Sequence, residues 1–474
     1  MKRSDMQTFE REGRYSRNAL EVRAEATMKR LKGIRVQETD TGDLTLEPKR
    51  LPSPPRVVIP LEYPQGSVEP LVGAGDTVRE GQCIARDENG ILPDVRASIA
   101  GKVSAIKPWP GPFGCEYPSI MIESNGSGGE PERLFEEGLT PQDLRTQLRM
   151  LSESGIREAD VYPWPLSVRI AQPSLTPPVL FPFVPHLRRP IDYLILNGVD
   201  RQPGVMVRNC ALKTLEDEIL AGIPFLKALT GAPNTILALS SREPLSEALE
   251  RGLRMAGVET AFVPDRYPMG LEAVLVQHVT GREIPQPEGD ARSVGAVVVD
   301  VCTVAQVAEV LLKGRLQSEA LVQISAPSQW IHTFVRVREG TLLEDALEHL
   351  SPAPKDPARL ICGGPFLGHA MYGLQVPLIQ QTEAVFFQAE GDFAPYEDEP
   401  CINCGRCVQS CPMRLFPNEL SRACEYERFD EAEKNDLFRC IECGICSFVC
   451  PVRRPMVHLI RFGKHELSAS REEQ

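Results

Sequence analysis

The chain has 474 residues, a formal net charge of −13, 42% apolar and 25% charged residues. That length predicts several domains, and the acidic balance argues against nucleic acid held by a general electrostatic footprint. The longest apolar run, roughly Val294 to Leu312, is broken by Asp300, Gln306 and Glu309, so no segment reads as a spanning helix, and the charged N-terminus lacks the apolar core of a secretion signal.

Residues 1–50 read as a charged N-terminal arm with a helix-compatible run at Tyr15–Leu31. Residues 51–125 read as short strands separated by glycine turns, the pattern of a small barrel or sandwich. They resemble the barrel-sandwich hybrid of lipoyl and biotinyl carrier domains. In those carriers a modified lysine sits at the hairpin between the halves. Residues 86–95 hold no lysine and Lys102 follows a turn glycine, so a structural or docking role is expected. Residues 126–290 are read as the next domain, with strand and helix alternating over 190–290: strands at Ile191–Leu196, Thr235–Leu239 and Val258–Val263, helices at Leu212–Leu229 and Pro244–Ala256. This predicts an α/β domain with a mainly parallel sheet. Residues 291–350 read strand, helix, strand, strand, helix, the order of a β-grasp module. A connecting segment (351–395), a cysteine module (396–456) and a polar helical tail (457–474) complete a multidomain α/β and α+β chain.

Nine of the fourteen cysteines lie between Cys401 and Cys450. Cys401-Ile-Asn-Cys404-Gly-Arg-Cys407-Val-Gln-Ser-Cys411-Pro412 is one C-x₂-C-x₂-C-x₃-C-P run. Cys440-Ile-Glu-Cys443-Gly-Ile-Cys446-Ser-Phe-Val-Cys450-Pro451 is a second. The two-residue gaps let one tight loop present three thiolates to three corners of a cubane. In two-cluster ferredoxins the fourth cysteine of each run ligates the other cluster. Cys401, Cys404, Cys407 and Cys450 are therefore assigned to one [4Fe-4S] cluster, and Cys440, Cys443, Cys446 and Cys411 to the other. Gly405 and Gly444 permit the sharp turn. Four cysteines per run with a trailing proline do not match paired zinc knuckles. Cys424 and the scattered Cys83, Cys115, Cys210, Cys302 and Cys362 read as packing residues.

From about Val57 to Arg461 the order of modules resembles the RnfC family, a component of the Rnf complex, which is a bacterial ion-translocating oxidoreductase. The stretches that carry the resemblance are Tyr267-Pro-Met-Gly-Leu-Glu272, Leu275 to Thr280-Gly-Arg-Glu-Ile-Pro285, Gly363-Gly-Pro-Phe-Leu-Gly368, the two cysteine runs, and Pro455 with Leu459-Ile-Arg461. The resemblance implies an α/β domain like the flavin subunit of respiratory complex I, binding FMN and NADH through a loop close to G-x-G-G-A-G-F-P. Here the corresponding stretch is Gly155-Ile-Arg-Glu-Ala-Asp160-Val-Tyr-Pro163-Trp-Pro165, with no glycine between Gly155 and Gly198. Glycines there let backbone N–H groups approach phosphate, and prolines have no N–H to offer. A second element of that family reads roughly N-G/A-x-E-x-E-P. Here it is Asn197-Gly198-Val199-Asp200-Arg201-Gln202-Pro203, with the first Glu shortened and the second neutral.

The expectation is an electron-transfer subunit of a membrane-associated Rnf-like complex, relaying electrons through two [4Fe-4S] clusters, with neither FMN nor NADH bound and no catalytic residue of its own. Its expected partners are the integral-membrane and redox subunits of such a complex and a ferredoxin or cytochrome. It is placed peripherally on the cytoplasmic face of the cell membrane. The alternatives are an FMN-containing NADH dehydrogenase subunit and a flavoprotein like the cobalamin reductases; both need the glycine-rich loop.

Overall fold

A computed structural model of the chain describes residues 33–36, 46–63, 66–112, 114–126, 131–136, 142–158, 164–176, 180, 184–241, 245–286, 289–316, 318–393 and 400–472. The helix expected at Tyr15–Leu31 lies outside them. The chain divides into two compact units. One is Val36–Thr260 with Gly295–Pro395, the other Met1–Arg35 with Ala261–Val294 and Tyr396–Gln474.

In the larger unit, β1 (Arg56–Pro60), β2 (Gly101–Pro110) and β3 (Glu116–Ser124) form an antiparallel sheet in the order β1–β3–β2, closed by Thr77–Val78. Val57, Ile59, Val103, Ile120 and Ile122 alternate inward and are fully buried, as a half-buried strand pattern requires. Lys102 lies within β2, paired with Glu123 and Thr77 rather than at a hairpin tip. Helix α1 (Leu144–Glu153) follows, started by Asp143, whose carboxylate accepts the Thr146 N–H at 2.7 Å.

The α/β layer then takes β4 (Tyr193–Asn197), α2 (Val207–Thr214), α3 (Glu216–Thr230), β5 (Asn234–Ser240), α4 (Glu247–Met255) and β6 (Glu259–Val263). Helix α5 (Glu272–Thr280) belongs to the smaller unit. The chain returns with β7 (Ala296–Asp300) and α6 (Val301–Lys313), giving the sheet order β6–β5–β4–β7. Leu194, Leu196, Leu237, Leu239, Val297 and Val299 pack one face against Ile219, Ile223 and Leu226 of α3 and Val304, Val307 and Leu311 of α6. The helices come close because Gly222 carries no side chain: a Cβ there would meet the Val304 carbonyl oxygen at 2.2 Å.

Two expectations change here. The single helix predicted over Leu212–Leu229 is two, broken at Leu215. Glu216, Asp217 and Glu218 then occupy the first turn of α3, where the helix dipole favours acids. An unbroken apolar period hides that start. The module expected over 291–350 also divides. β7 and α6 belong to the parallel sheet, with β7 pairing β4 from Tyr193↔Ala296 to Asn197↔Asp300. The run Ala-Val-Val-Val-Asp is buried along its whole length, and such a run fits a central parallel strand. The remainder, β8 (Glu319–Ala326) and β9 (Ile331–Arg338), enters a six-stranded sheet with β10 (Arg359–Cys362), β11 (Ala384–Gln388), Lys49–Arg50 and His369–Ala370. The segment 351–395, expected only to connect, supplies three of those strands.

In the smaller unit, Ile34 and Tyr267 exchange backbone hydrogen bonds of 2.9 Å. The cysteine module is helical: α7 (Arg406–Ser410), α8 (Pro417–Glu425), α9 (Ile445–Phe448) and α10 (Met456–Glu472). The tail expected over 457–474 is most of α10. Cys424 of α8 is fully buried, and a Cβ on Gly463 of α10 would meet its Sγ at 2.3 Å.

Candidate iron–sulfur centres and the α/β crevice

The two cysteine runs build the same local structure 39 positions apart. Asn403 and Glu442, each just before the second cysteine, have φ of 53° and 54°; Gly405 and Gly444, just after it, have 72° and 74°. Arg414 and Arg453 close the pattern at 56° and 51°. Left-handed turns on both sides of one residue curl the backbone around a point and aim N–H groups inward. In the second run the Glu442 N–H donates to Cys440 Sγ at 3.4 Å. The glycines are legible in the sequence; the positive φ of Asn403 and Glu442 is not, although asparagine tolerates that region well.

The cysteines group across the runs. Cys401, Cys404, Cys407 and Cys450 line one small cavity with Asn418, Arg454 and Met456. Cys411, from the first run, packs in one buried cluster with Cys440 of the second. The two groups differ in exposure. In the first, Cys404 is exposed, Cys401 and Cys450 half-buried and Cys407 buried; in the second, Cys440 is half-buried and Cys411, Cys443 and Cys446 are buried. Burial pushes the Cys440 thiol up to about 11 and Cys446 to about 12, and Cys443 higher still. Such thiols stay protonated at neutral pH until a metal displaces the proton. Among the described residues no three His, Cys, Asp or Glu side chains converge to chelate a single ion; a cubane does not require it, since each of its cysteines binds a different iron. Eight thiols in two groups of four fit two [4Fe-4S] clusters.

Cations and one tyrosine surround the second group. Lys464 Nζ contacts the Cys440 carbonyl and Glu442 Oε1, both at 2.7 Å, and Arg461 Nε reaches Glu442 Oε2 at 2.9 Å. Burial raises the affinity of Glu442 for a proton, but Lys464 and Arg461 outweigh it and hold the carboxyl below its usual range. The buried Tyr267 hydroxyl donates to the Cys443 carbonyl at 2.6 Å. Nothing in the spacing around Tyr267 marks that contact, 176 residues away in sequence.

The expected packing cysteines mostly behave so. Cys210 and Cys362 are buried, Cys83 and Cys302 half-buried. Cys115 is the exception. It is exposed in the turn between β2 and β3, where its carbonyl accepts the Gly111 N–H at 2.8 Å, so backbone geometry rather than packing occupies it.

An open α/β sheet binds its ligand outside the carboxyl ends of the strands where the strand order reverses. Here that point lies between β4 and β7, at Asn197 and Asp300. Buried charged side chains pair beside it. The Arg208 guanidinium, 1% exposed, pairs with Asp300 and, at 2.9 Å, with Glu383. Arg201 reaches Glu383 at 3.5 Å, and Asp200 accepts the Arg208 N–H at 2.9 Å. Gln202 donates to the Gly363 carbonyl and accepts the Phe366 and Leu367 N–H groups, each at 3.0 Å. It lies so close that a Cβ on Gly364 would fall 2.6 Å from its Cδ. These partners are up to 182 positions apart, and no local pattern points to them.

The stretch after α1 is equally committed. The Arg157 N–H donates to Gln380 Oε1 at 2.9 Å. The buried Arg169 holds both Glu158 oxygens at 2.5 Å. The cavity beside them, lined by Trp164, Leu166 and Ile156, measures about 30 Å³. Ligand pockets run to roughly 300–1,000 Å³. Residues 159–163 lie outside the described residues.

The fold and the cysteine module define a multidomain iron–sulfur protein: a barrel-sandwich domain, a flavin-subunit-like α/β layer and a dicluster ferredoxin domain. Residues 29–127 match the RnfC barrel sandwich hybrid domain, 178–309 the Nuo51 FMN-binding domain and 400–454 the 4Fe-4S dicluster domain. The chain is 30% identical over 433 residues to the C component of the ion-translocating oxidoreductase complex of Rhodobacter capsulatus, covering 89% of this chain and 80% of that one. It is 29% identical over 427 residues to the C component of the proton-translocating ferredoxin:NAD(+) oxidoreductase complex of Clostridium ljungdahlii, covering 89% and 90%. Among solved structures, an NAD+-reducing [NiFe]-hydrogenase in the H2-reduced state aligns with a TM-score of 0.44 at 17% identity, over 69% of this chain and 61% of that one. The chain belongs to the RnfC family of ion-translocating oxidoreductase complexes.

Proposed function

We propose that this chain is the peripheral electron-relay subunit of such a complex, holding two [4Fe-4S] clusters and no flavin. Cys401, Cys404, Cys407 and Cys450 hold the first cluster, and Cys440, Cys443, Cys446 and Cys411 the second. The observation that carries the reading is the cross-grouping: Cys450 lines the cavity of the first run, and Cys411 packs in one cluster with Cys440 of the second. When bound, the clusters supply reversible one-electron transfer. The chain's own residues fix the thiols with left-handed turns, keep water from the second group by burial, and set Lys464 and Arg461 beside it against the anionic thiolates.

The absence of FMN and NADH is supported by what fills their place. Arg208, Asp300 and Glu383 occupy the crevice at the carboxyl ends of β4 and β7, and the Arg157 N–H is spent on Gln380. The match to the Nuo51 FMN-binding domain favours the opposite reading, though it begins at residue 178, past the stretch where the glycine-rich loop belongs. We place the chain on the cytoplasmic face of the cell membrane, held by integral-membrane subunits and exchanging electrons with a ferredoxin or a cytochrome.

Anaerobically purified, the chain is expected to hold about eight iron and eight sulfide, with Cys404→Ala losing one cluster. NADH leaves the cluster absorbance unchanged, and dithionite bleaches it. Zinc in place of iron overturns the cluster assignment. Stoichiometric FMN, or bleaching by NADH, overturns the flavin-free reading and leaves the clusters standing.

A further inference from the structure

The two halves of the cysteine module are alike in backbone and unlike in surface. After its glycine the first run has Arg406, exposed; the second has Ile445 at the equivalent position, fully buried. Cys404 is exposed, and its equivalent Cys443 is buried. The first group of cysteines is therefore the more exposed of the two, although Cys407 in it is buried and Cys440 in the second is half-buried. Between α7 and α9 runs an open groove of about 550 Å³, lined by Arg406, Gln409, Phe448, Val449, Cys450 and Arg453. Its lining includes Cys450, a ligand of the first cluster in the assignment above. Phe448 is 57% exposed there. Two guanidinium groups flank it, and none of the described lining residues is acidic, on a chain whose net charge is −13.

We propose that this groove is the docking site for an acidic one-electron carrier protein and that the first cluster is the one exchanging electrons with it. The inference rests on the two-cluster reading. A basic patch with an exposed aromatic centre suits a transient protein contact: the charges orient the partner and the ring seats it. The net charge of the chain repels an extended anionic surface at range, whereas a compact carrier meets chiefly the local patch. Electron transfer weakens steeply with distance, so the cluster nearest the surface dominates. In the step, one electron leaves the carrier's reduced iron–sulfur centre and enters the first cluster. The carrier is oxidised by one electron, the cluster is reduced by one, and no bond or proton changes place.

The test uses the full reconstituted chain and a dithionite-reduced, acidic two-cluster bacterial ferredoxin, followed by stopped flow. Equilibrium binding of the oxidised ferredoxin gives a second readout. The transfer rate should fall with added salt. Arg406→Glu with Arg453→Glu should slow transfer and weaken binding at low salt by at least about tenfold, the scale of electrostatic steering, and flatten the salt dependence. Arg406→Glu alone should give a smaller change of the same sign, which guards against misfolding at Arg453. Iron content and direct dithionite reduction should stay as in the parent chain. Unchanged transfer in the double variant, a rate that rises with salt, or a basic cytochrome that reacts as fast as the ferredoxin overturns the docking site. A parent chain without iron, or one that dithionite cannot reduce, overturns the cluster reading instead.

Discussion

Gln202 shows how a single residue can be read two ways. In the sequence it is a glutamate position without its charge; in the structure its amide donates to the Gly363 carbonyl and accepts from Phe366 and Leu367. Gln202→Glu replaces the donor by a lone pair facing that carbonyl. The change should cost about 1–3 kcal/mol and show as faster hydrogen exchange across 363–367, with no gain of FMN. A variant that binds FMN would mean the family's acid is all the site lacks. Tyr267 is the second instructive residue, since its hydroxyl ties a distant segment to the Cys443 carbonyl at 2.6 Å. Tyr267→Phe leaves a buried carbonyl unpaired, again about 1–3 kcal/mol. The variant should assemble both clusters but give up half its iron to a chelator several-fold faster; identical release kinetics would show that the bond does not support the second cluster.

Among the elements, legibility follows sequence distance. Cluster ligation is local chemistry, so both cysteine runs and their glycines can be read directly, as can the alternating strands and helices of β4 to β6. Where partners are remote, reading fails. β7 carries the same apolar run whether it starts a β-grasp module or sits in a parallel sheet, and its pairing partner β4 is about 100 residues earlier. β10 and β11 read as a connection because their neighbours in the sheet lie elsewhere. The buried Arg208 network, spread over positions 200 to 383, leaves no local pattern at all. Gly222 is a case in which the helix rule itself misleads. Alanine is the better helix former by about 1 kcal/mol, yet a methyl there meets the Val304 carbonyl oxygen at 2.2 Å. Gly222→Ala should therefore destabilise α3 and α6 by about 1–3 kcal/mol, read as reduced amide protection in both helices. Equal or greater protection would contradict the close crossing.

For the whole molecule, no helix among the described residues is long and apolar enough to cross a membrane. If integral partners hold the chain, high salt or loss of those partners should release it from membranes, and expressed alone it should not sediment with the bilayer. Retention after such treatment would place an anchor in the chain itself. The unequal exposure of the two cysteine groups has a practical side as well. Dioxygen and peroxide meet Cys404 at the surface, with Cys401 and Cys450 half-buried beside it, while in the second group only Cys440 is as open as half-buried. In the proposed assignment, oxidative damage starts at the first cluster and spares the second. A preparation handled in air decays through a half-loaded form, so about four iron per chain in such material records injury rather than design.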